Sequence, residues 1–159
     1  YGDKYSRKEL KIMTDNKEII FRKIYKNNVL PIKGFMEIFE LIKSKKILVG
    51  LASNAIRKNV KMILSELKIY EKFDSIICGD EVKRGKPDPE MFDETIDRFN
   101  LKKEECLIFE DSVEGVSAAV NSKVDVIGIT SSSSEQILID KGCKTTIDNY
   151  LNFDISIYG

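Results

Sequence analysis

The chain has 159 residues, enough for one ordinary domain with a sizeable core. With 42% hydrophobic and 33% charged residues, and 26 acidic side chains against 26 basic ones, it has the composition of a soluble globular protein and no net charge to draw it to nucleic acid or a membrane surface. It contains no histidine, which excludes histidine-dependent triads, phosphohistidine chemistry and the common His-containing zinc sites, so any acid or base must be Asp, Glu, Lys, Tyr or Cys.

No apolar stretch approaches the roughly 18 residues of a membrane span, and the N-terminus does not read as a signal peptide, so a cytoplasmic protein is expected. Cys78, Cys106 and Cys143 are too far apart for a zinc knuckle, and their odd number argues against a disulfide framework. Cys78 and Cys106 fall in apolar runs and read as buried, inert thiols.

Residues 7–27 carry Leu10, Met13, Ile20, Phe21 and Ile24 among many charges, the pattern of one or two amphipathic helices. Asn27, Asn28 and Pro31 mark a break, after which Gly34 opens a helix running to Ser44. From Ile47 strands and helices alternate. Strands are predicted over Ile47–Ala52, Asp74–Cys78, Cys106–Phe109, Val124–Thr130 and Thr145–Ile147, with helices over Ile56–Leu67, Asp88–Phe99 and Ser112–Ser122. Ser131–Ser134 reads as a loop and helix cap. Such β-α repetition predicts a mostly parallel sheet with helices on both faces.

The strand ends carry the chemistry. Ser53 and Asn54 follow the first strand and read either as helix caps or as anion-binding groups. Arg57 and Lys58 come in the first helical turn, where cations oppose the helix dipole, and a bound anion would relieve that conflict. Lys86 is flanked by Gly85 and by Pro87, Asp88 and Pro89, which punctuate a helix start; it is either an exposed lysine or an ammonium aimed into a crevice. Glu110 and Asp111 lie where a strand hands over to a helix, at the edge where open α/β sheets bind ligands. Asp111 reads as an N-cap with Glu114 as its capping-box partner, or else the two acids hold a hard cation such as Mg²⁺. Adjacent strand residues point to opposite faces, so both acids reach one ion only if the chain turns between them or one acts through water. Taken together, a hydroxyl, a lysine and an acidic pair at successive strand ends make a phosphate-plus-Mg²⁺ site.

Ala52-Ser53-Asn54, Gly85-Lys86-Pro87-Asp88-Pro89-Glu90-Met91-Phe92 and Phe109-Glu110-Asp111-Ser112-Val113-Glu114-Gly115 resemble the second, third and fourth motifs of the haloacid dehalogenase superfamily, in its β-phosphoglucomutase-like phosphatase branch. The resemblance runs from about Pro31 to Tyr150. It implies a doubly wound, mostly parallel, Rossmann-like α/β core over residues 31–159, with residues 1–30 as the last part of an α-helical cap. It also implies that Ser53 and Asn54 hold a phosphoryl group, that Lys86 orients that group and balances charge, and that Glu110 and Asp111 fix Mg²⁺; Arg57 is expected as a further phosphate-binding residue from its place at the helix start. The implied activity is Mg²⁺-dependent phosphatase action on a small phosphorylated metabolite through an aspartyl-phosphate, with a sugar phosphomutase or a non-catalytic ligand- or partner-binding module as alternatives.

One departure is large. The family's first motif is Asp-x-Asp at the end of a first strand, and no aspartate of this chain has another two positions on. The expectation is therefore a core lacking its first strand, inactive by itself, whose sheet is completed by a missing N-terminal segment or by another chain. A receiver domain, which also uses acids, a hydroxyl and a lysine, is rejected because its acids should precede the other groups.

Overall fold

The computed structural model describes residues 4–151 and 153–155. Two helices, α1 (Arg7–Tyr25) and α2 (Phe35–Ser44), precede a strict alternation of strand and helix. It runs β1 (Gly50–Ser53), α3 (Arg57–Glu66), β2 (Ser75–Cys78), α4 (Glu90–Phe99), β3 (Leu107–Glu110), α5 (Val113–Ser122), β4 (Asp125–Ile129), α6 (Glu135–Asp140) and β5 (Thr145–Ile147). The expected strands are all present. They start or stop a few residues from the expected bounds, because apolar runs such as Ile47–Val49 continue beyond the hydrogen-bonded ladder.

All pairings are parallel: Ser53 lies opposite Cys78, Glu110 opposite Gly128, and Ile129 opposite Ile147. Every strand therefore delivers its carboxyl end to one edge. Among the described residues the strands form two sheets, β1-β2 and β3-β4-β5, so β1 and β3 each keep one edge without a strand partner.

Side-chain alternation sends successive residues to opposite faces. Ala52, Ile108 and Val126 pack on one face against Phe92 of α4, Val116 and Ala119 of α5 and Leu138 of α6. Leu51, Ile76 and Cys78 pack on the other face against Phe39 of α2 and Val60 and Leu64 of α3. Helices thus cover both faces, the doubly wound arrangement expected. Each large apolar side chain so buried contributes about 1.5 to 3 kcal/mol.

A run of aromatic rings ties the two sheets together. It passes from Phe73 to Phe39 (5.1 Å between centroids), Phe35 (5.7 Å), Tyr150 (5.8 Å), Phe109 (5.5 Å) and Phe153 (5.2 Å). Gly34 makes the turn into α2 possible: its φ is +78°, and its backbone lies so close to Leu151 that a Cβ would come within 2.6 Å of the Leu151 nitrogen. The Tyr150 amide donates to the Lys33 carbonyl at 2.9 Å, closing the same junction.

Residues 7–25 form one helix rather than two, started by a reciprocal bond in which Ser6 Oγ accepts from the Glu9 amide and the Glu9 carboxylate accepts from the Ser6 amide. No α1 residue is buried, and Met13, Ile20 and Ile24 stay largely exposed. A polar clamp holds α1 to α3: Arg22 Nη1 donates to Asn59 Oδ1 at 2.7 Å, and Asn59 Nδ2 donates to Glu18 Oε2 at 2.5 Å. Asn59 is buried, and this clamp satisfies its amide. Among the described residues no helix is long and apolar enough to cross a membrane.

Candidate active site

The site assembles at the carboxyl ends of β1 and β3, with Lys86 between them. The Lys86 ammonium donates to the Ala52 carbonyl at 3.0 Å and to Glu110 Oε1, and it lies 4.7 Å from the centre of the Phe92 ring. Both side chains of the Lys86–Glu110 pair are only 8% exposed. The ammonium therefore points inward and bridges the two sheets where strand pairing does not.

Asn54 holds the Lys86 backbone from both sides. Its Oδ1 accepts from the Lys86 amide at 2.9 Å, and its Nδ2 donates to the Lys86 carbonyl at 3.3 Å. This close approach requires glycine at position 85, where a Cβ would sit 2.7 Å from Asn54 Oδ1. Neither Ser53 nor Asn54 caps α3. Ser53 Oγ accepts from the Ala55 amide at 3.2 Å, and the first helical amide, that of Arg57, donates instead to Asp80 Oδ1 at 2.9 Å.

Arg57 is placed differently from the expectation that an anion would relieve its conflict with the helix dipole. Its Nε donates to Glu81 at 2.6 Å, one Nη donates to the other Glu81 oxygen at 2.5 Å and to the Ile76 carbonyl at 2.8 Å, so the protein supplies the counter-charge itself. That fork raises the Arg57 pKa and lowers that of Glu81.

Glu110 is the last residue of β3, and Asp111 lies just outside the strand. Glu110 is buried, and its Oε2 accepts from the Asp111 amide at 3.3 Å and from Ser112 Oγ at 3.2 Å. Helix α5 passes close behind it: a Cβ at Gly115 would overlap the Glu110 carboxylate, so that glycine makes the room. Ser112, not Asp111, caps α5, accepting from the Gly115 amide at 3.0 Å. Asp111 is thereby left out of capping. Its Oδ2 accepts from Ser131 Oγ at 3.0 Å and from Ser132 Oγ, both from the loop after β4.

The structure thus brings Asn54, Lys86, Glu110 and Asp111 to one edge, sets Ser53 beside them and engages Arg57 elsewhere. Ser131, Ser132 and Tyr150 escaped sequence reasoning. Burial pushes the Tyr150 phenol up to about 12, with the Asp111 and Glu110 charges acting in the same direction. Only the serine run itself was a signal, and a run of serines reads equally well as a loop.

Two carboxylates at a strand end, one in a cradle cleared by Gly115, form an all-oxygen donor set of the kind a hard cation takes. The other acidic cluster, Cys78, Asp80 and Glu81, is filled by Arg57, which takes both Glu81 oxygens and an Asp80 oxygen. The three thiols are free, Cys78 and Cys143 buried and Cys106 only partly so, and burial raises all three pKa values.

The described residues form parallel, doubly wound strands with a lysine and an acidic pair at the carboxyl edge. The chain belongs to the haloacid dehalogenase-like hydrolase family, whose sequence pattern it matches over residues 3–152. It is 32% identical over 130 residues to a phosphorylated carbohydrates phosphatase of Thermotoga maritima, covering 80% of this chain and 58% of that protein. It is 27% identical over 112 residues to the β-phosphoglucomutase of Bacillus subtilis, covering 70% and 48%. The chain spans about half the length of the curated relatives it matches. Among solved structures it resembles a family IA variant 3 hydrolase from Entamoeba histolytica, with a TM-score of 0.88 and 25% identity over 97% of this chain and 71% of that one. A β-phosphoglucomutase from Clostridium difficile shares the fold at a TM-score of 0.80 and 24% identity, over 96% of this chain and 66% of that one.

Proposed function

We propose that this chain is part of a cytoplasmic, Mg²⁺-dependent phosphatase that acts on a small phosphorylated metabolite. The observation that carries the reading is the buried Lys86–Glu110 pair at the joint between the two sheets, with Asp111 next to it in the chain. The relative named a phosphorylated carbohydrates phosphatase supports a phosphate monoester of a small polar molecule as substrate.

Each residue would act through its position. The Ser53 hydroxyl and the backbone amides around Asn54, just past the end of β1, would donate to the phosphoryl oxygens. Arg57, its guanidinium paired with Glu81, would take no direct part in holding the phosphoryl group. Lys86 would hold the phosphoryl group in line and offset charge that develops on it. Glu110 and Asp111 would hold Mg²⁺, which when bound neutralises phosphate charge. The nucleophile would be an aspartate on a strand between β1 and β3, forming an aspartyl-phosphate, and that aspartate is not one of these 159 residues. Residues 1–30 would then be the last part of a helical cap, and residues 31–159 the core.

The 27% identity to a β-phosphoglucomutase favours a phosphomutase as the second reading. The two differ in whether water or a second sugar phosphate takes up the phosphoryl group. The test uses the chain extended by an N-terminal strand ending in Asp-x-Asp, assayed on sugar and nucleotide monophosphates with and without Mg²⁺. Phosphate release that needs Mg²⁺ is expected, and Asp111→Asn should abolish most of it with little change in thermal midpoint. Full activity in Asp111→Asn would sink the metal assignment, and a lack of turnover in the extended chain would favour a binding module.

A further inference from the structure

The loop between β4 and α6 enters the site from a direction that none of the roles above uses. Ser131 and Ser132 are consecutive and exposed, yet both hydroxyls donate to one atom, Asp111 Oδ2. Neither bond is needed to satisfy a buried polar group, since both hydroxyls have water as an alternative partner. Nor do these serines start α6, whose N-cap residue is Ser134. What the two bonds do is stop a rotation. Asp111 lies past the end of β3 and outside the α5 cap, so neither strand nor helix restricts its carboxylate.

We infer that Ser131 and Ser132 are positioning residues that fix the Asp111 carboxylate through Oδ2 and so present Oδ1 to a divalent cation. The inference rests on the reading of Glu110 and Asp111 as the Mg²⁺ ligands. Its physical basis is that Mg²⁺ demands near-ideal octahedral geometry at short range, so a ligand oxygen already oriented binds better than one that must be ordered first. Hydrogen bonds from outside the ligand set have this effect in metal sites generally, and losing them weakens binding by about 10- to 100-fold.

The probe is Mn²⁺, whose free and bound forms are distinguished by electron paramagnetic resonance, titrated into the 159-residue chain. Ser131→Ala with Ser132→Ala should weaken Mn²⁺ binding about tenfold while leaving the thermal midpoint unchanged, because both side chains are exposed. Ser131→Thr with Ser132→Thr keeps both hydroxyls and should retain the affinity. Asp111→Asn should remove the binding. Alanine variants that bind as tightly as the unaltered chain would overturn the positioning role while leaving the metal assignment intact. Equal weakening by alanine and threonine would also overturn it, since the hydroxyls would then not be the cause. Binding indifferent to Asp111→Asn would overturn both the metal assignment and the inference built on it.

Discussion

The Lys86 ammonium meets three groups of different chemistry: the Ala52 carbonyl, the Glu110 carboxylate and the face of the Phe92 ring. Because Lys86 and Glu110 are almost wholly buried, removing one leaves the other charge uncompensated, a loss of about 3 to 5 kcal/mol for buried pairs. In the chain extended by an Asp-x-Asp strand, Lys86→Ala should therefore act twice. It should lower stability by about that amount in denaturant titration, and it should lower turnover of every phosphorylated substrate alike, because its proposed role lies at the phosphoryl group. Loss with only some substrates would move Lys86 to leaving-group recognition. Gly85 and Gly115 are part of the same design at one remove, since a Cβ at either would displace Asn54 or Glu110.

Among the elements, the segment after β5 links the fold to the site. Tyr150 meets Phe35 edge-on and Phe109 at a steep tilt, and it also feels the two site carboxylates. An unfolded tyrosine titrates near pH 10, whereas in the fold the phenol is pushed up to about 12. Between those two values the folded chain keeps a proton that the unfolded chain has released, so stability must fall as pH rises through that window and is unaffected by this group below it. Replacing Tyr150 by Phe should flatten the fall, seen as a smaller loss of thermal midpoint on going from about pH 9 to about pH 12. An identical loss in both proteins would show that burial of this phenol does not govern the alkaline limb. The start of α3 makes a similar point about charge: Arg57 sits at the positive end of a helix, but Asp80 and Glu81 answer it from the loop after β2.

For the whole molecule, the decisive feature is a parallel sheet in two parts, joined on one face by α4 and α5, on the other by aromatic rings, and at its edge by Lys86. The edges of β1 and β3 that face each other have no strand partner among the described residues, and a backbone group left buried and unpaired there would cost about 1 to 3 kcal/mol. A parallel strand entering there would satisfy both edges and would bring its own carboxyl end to Lys86 and Glu110. The 159-residue chain should therefore release no phosphate by itself. Joined to an N-terminal strand ending in Asp-x-Asp, it should gain a higher thermal midpoint together with Mg²⁺-dependent phosphate release. Phosphate release by the 159 residues alone, or a strand that leaves the midpoint unmoved, would overturn this account.

The alternation of elements, the parallel sheet and the grouping of Asn54, Lys86, Glu110 and Asp111 were legible in the sequence. Apolar periodicity and turn residues are local signals, and parallel strands necessarily send their ends to one edge. Local signals could not choose between capping and site roles, because serine, asparagine and aspartate serve both with the same atoms. The structure takes the capping roles away from Asp111, Ser53 and Asn54, giving the α5 cap to Ser112 and, through a tertiary contact, the first amide of α3 to Asp80. It likewise decided that Arg57 is matched by Glu81, and that Ser131 and Ser132 reach back to Asp111. Those contacts depend on where loops from different strands meet, and no spacing along the chain encodes that meeting.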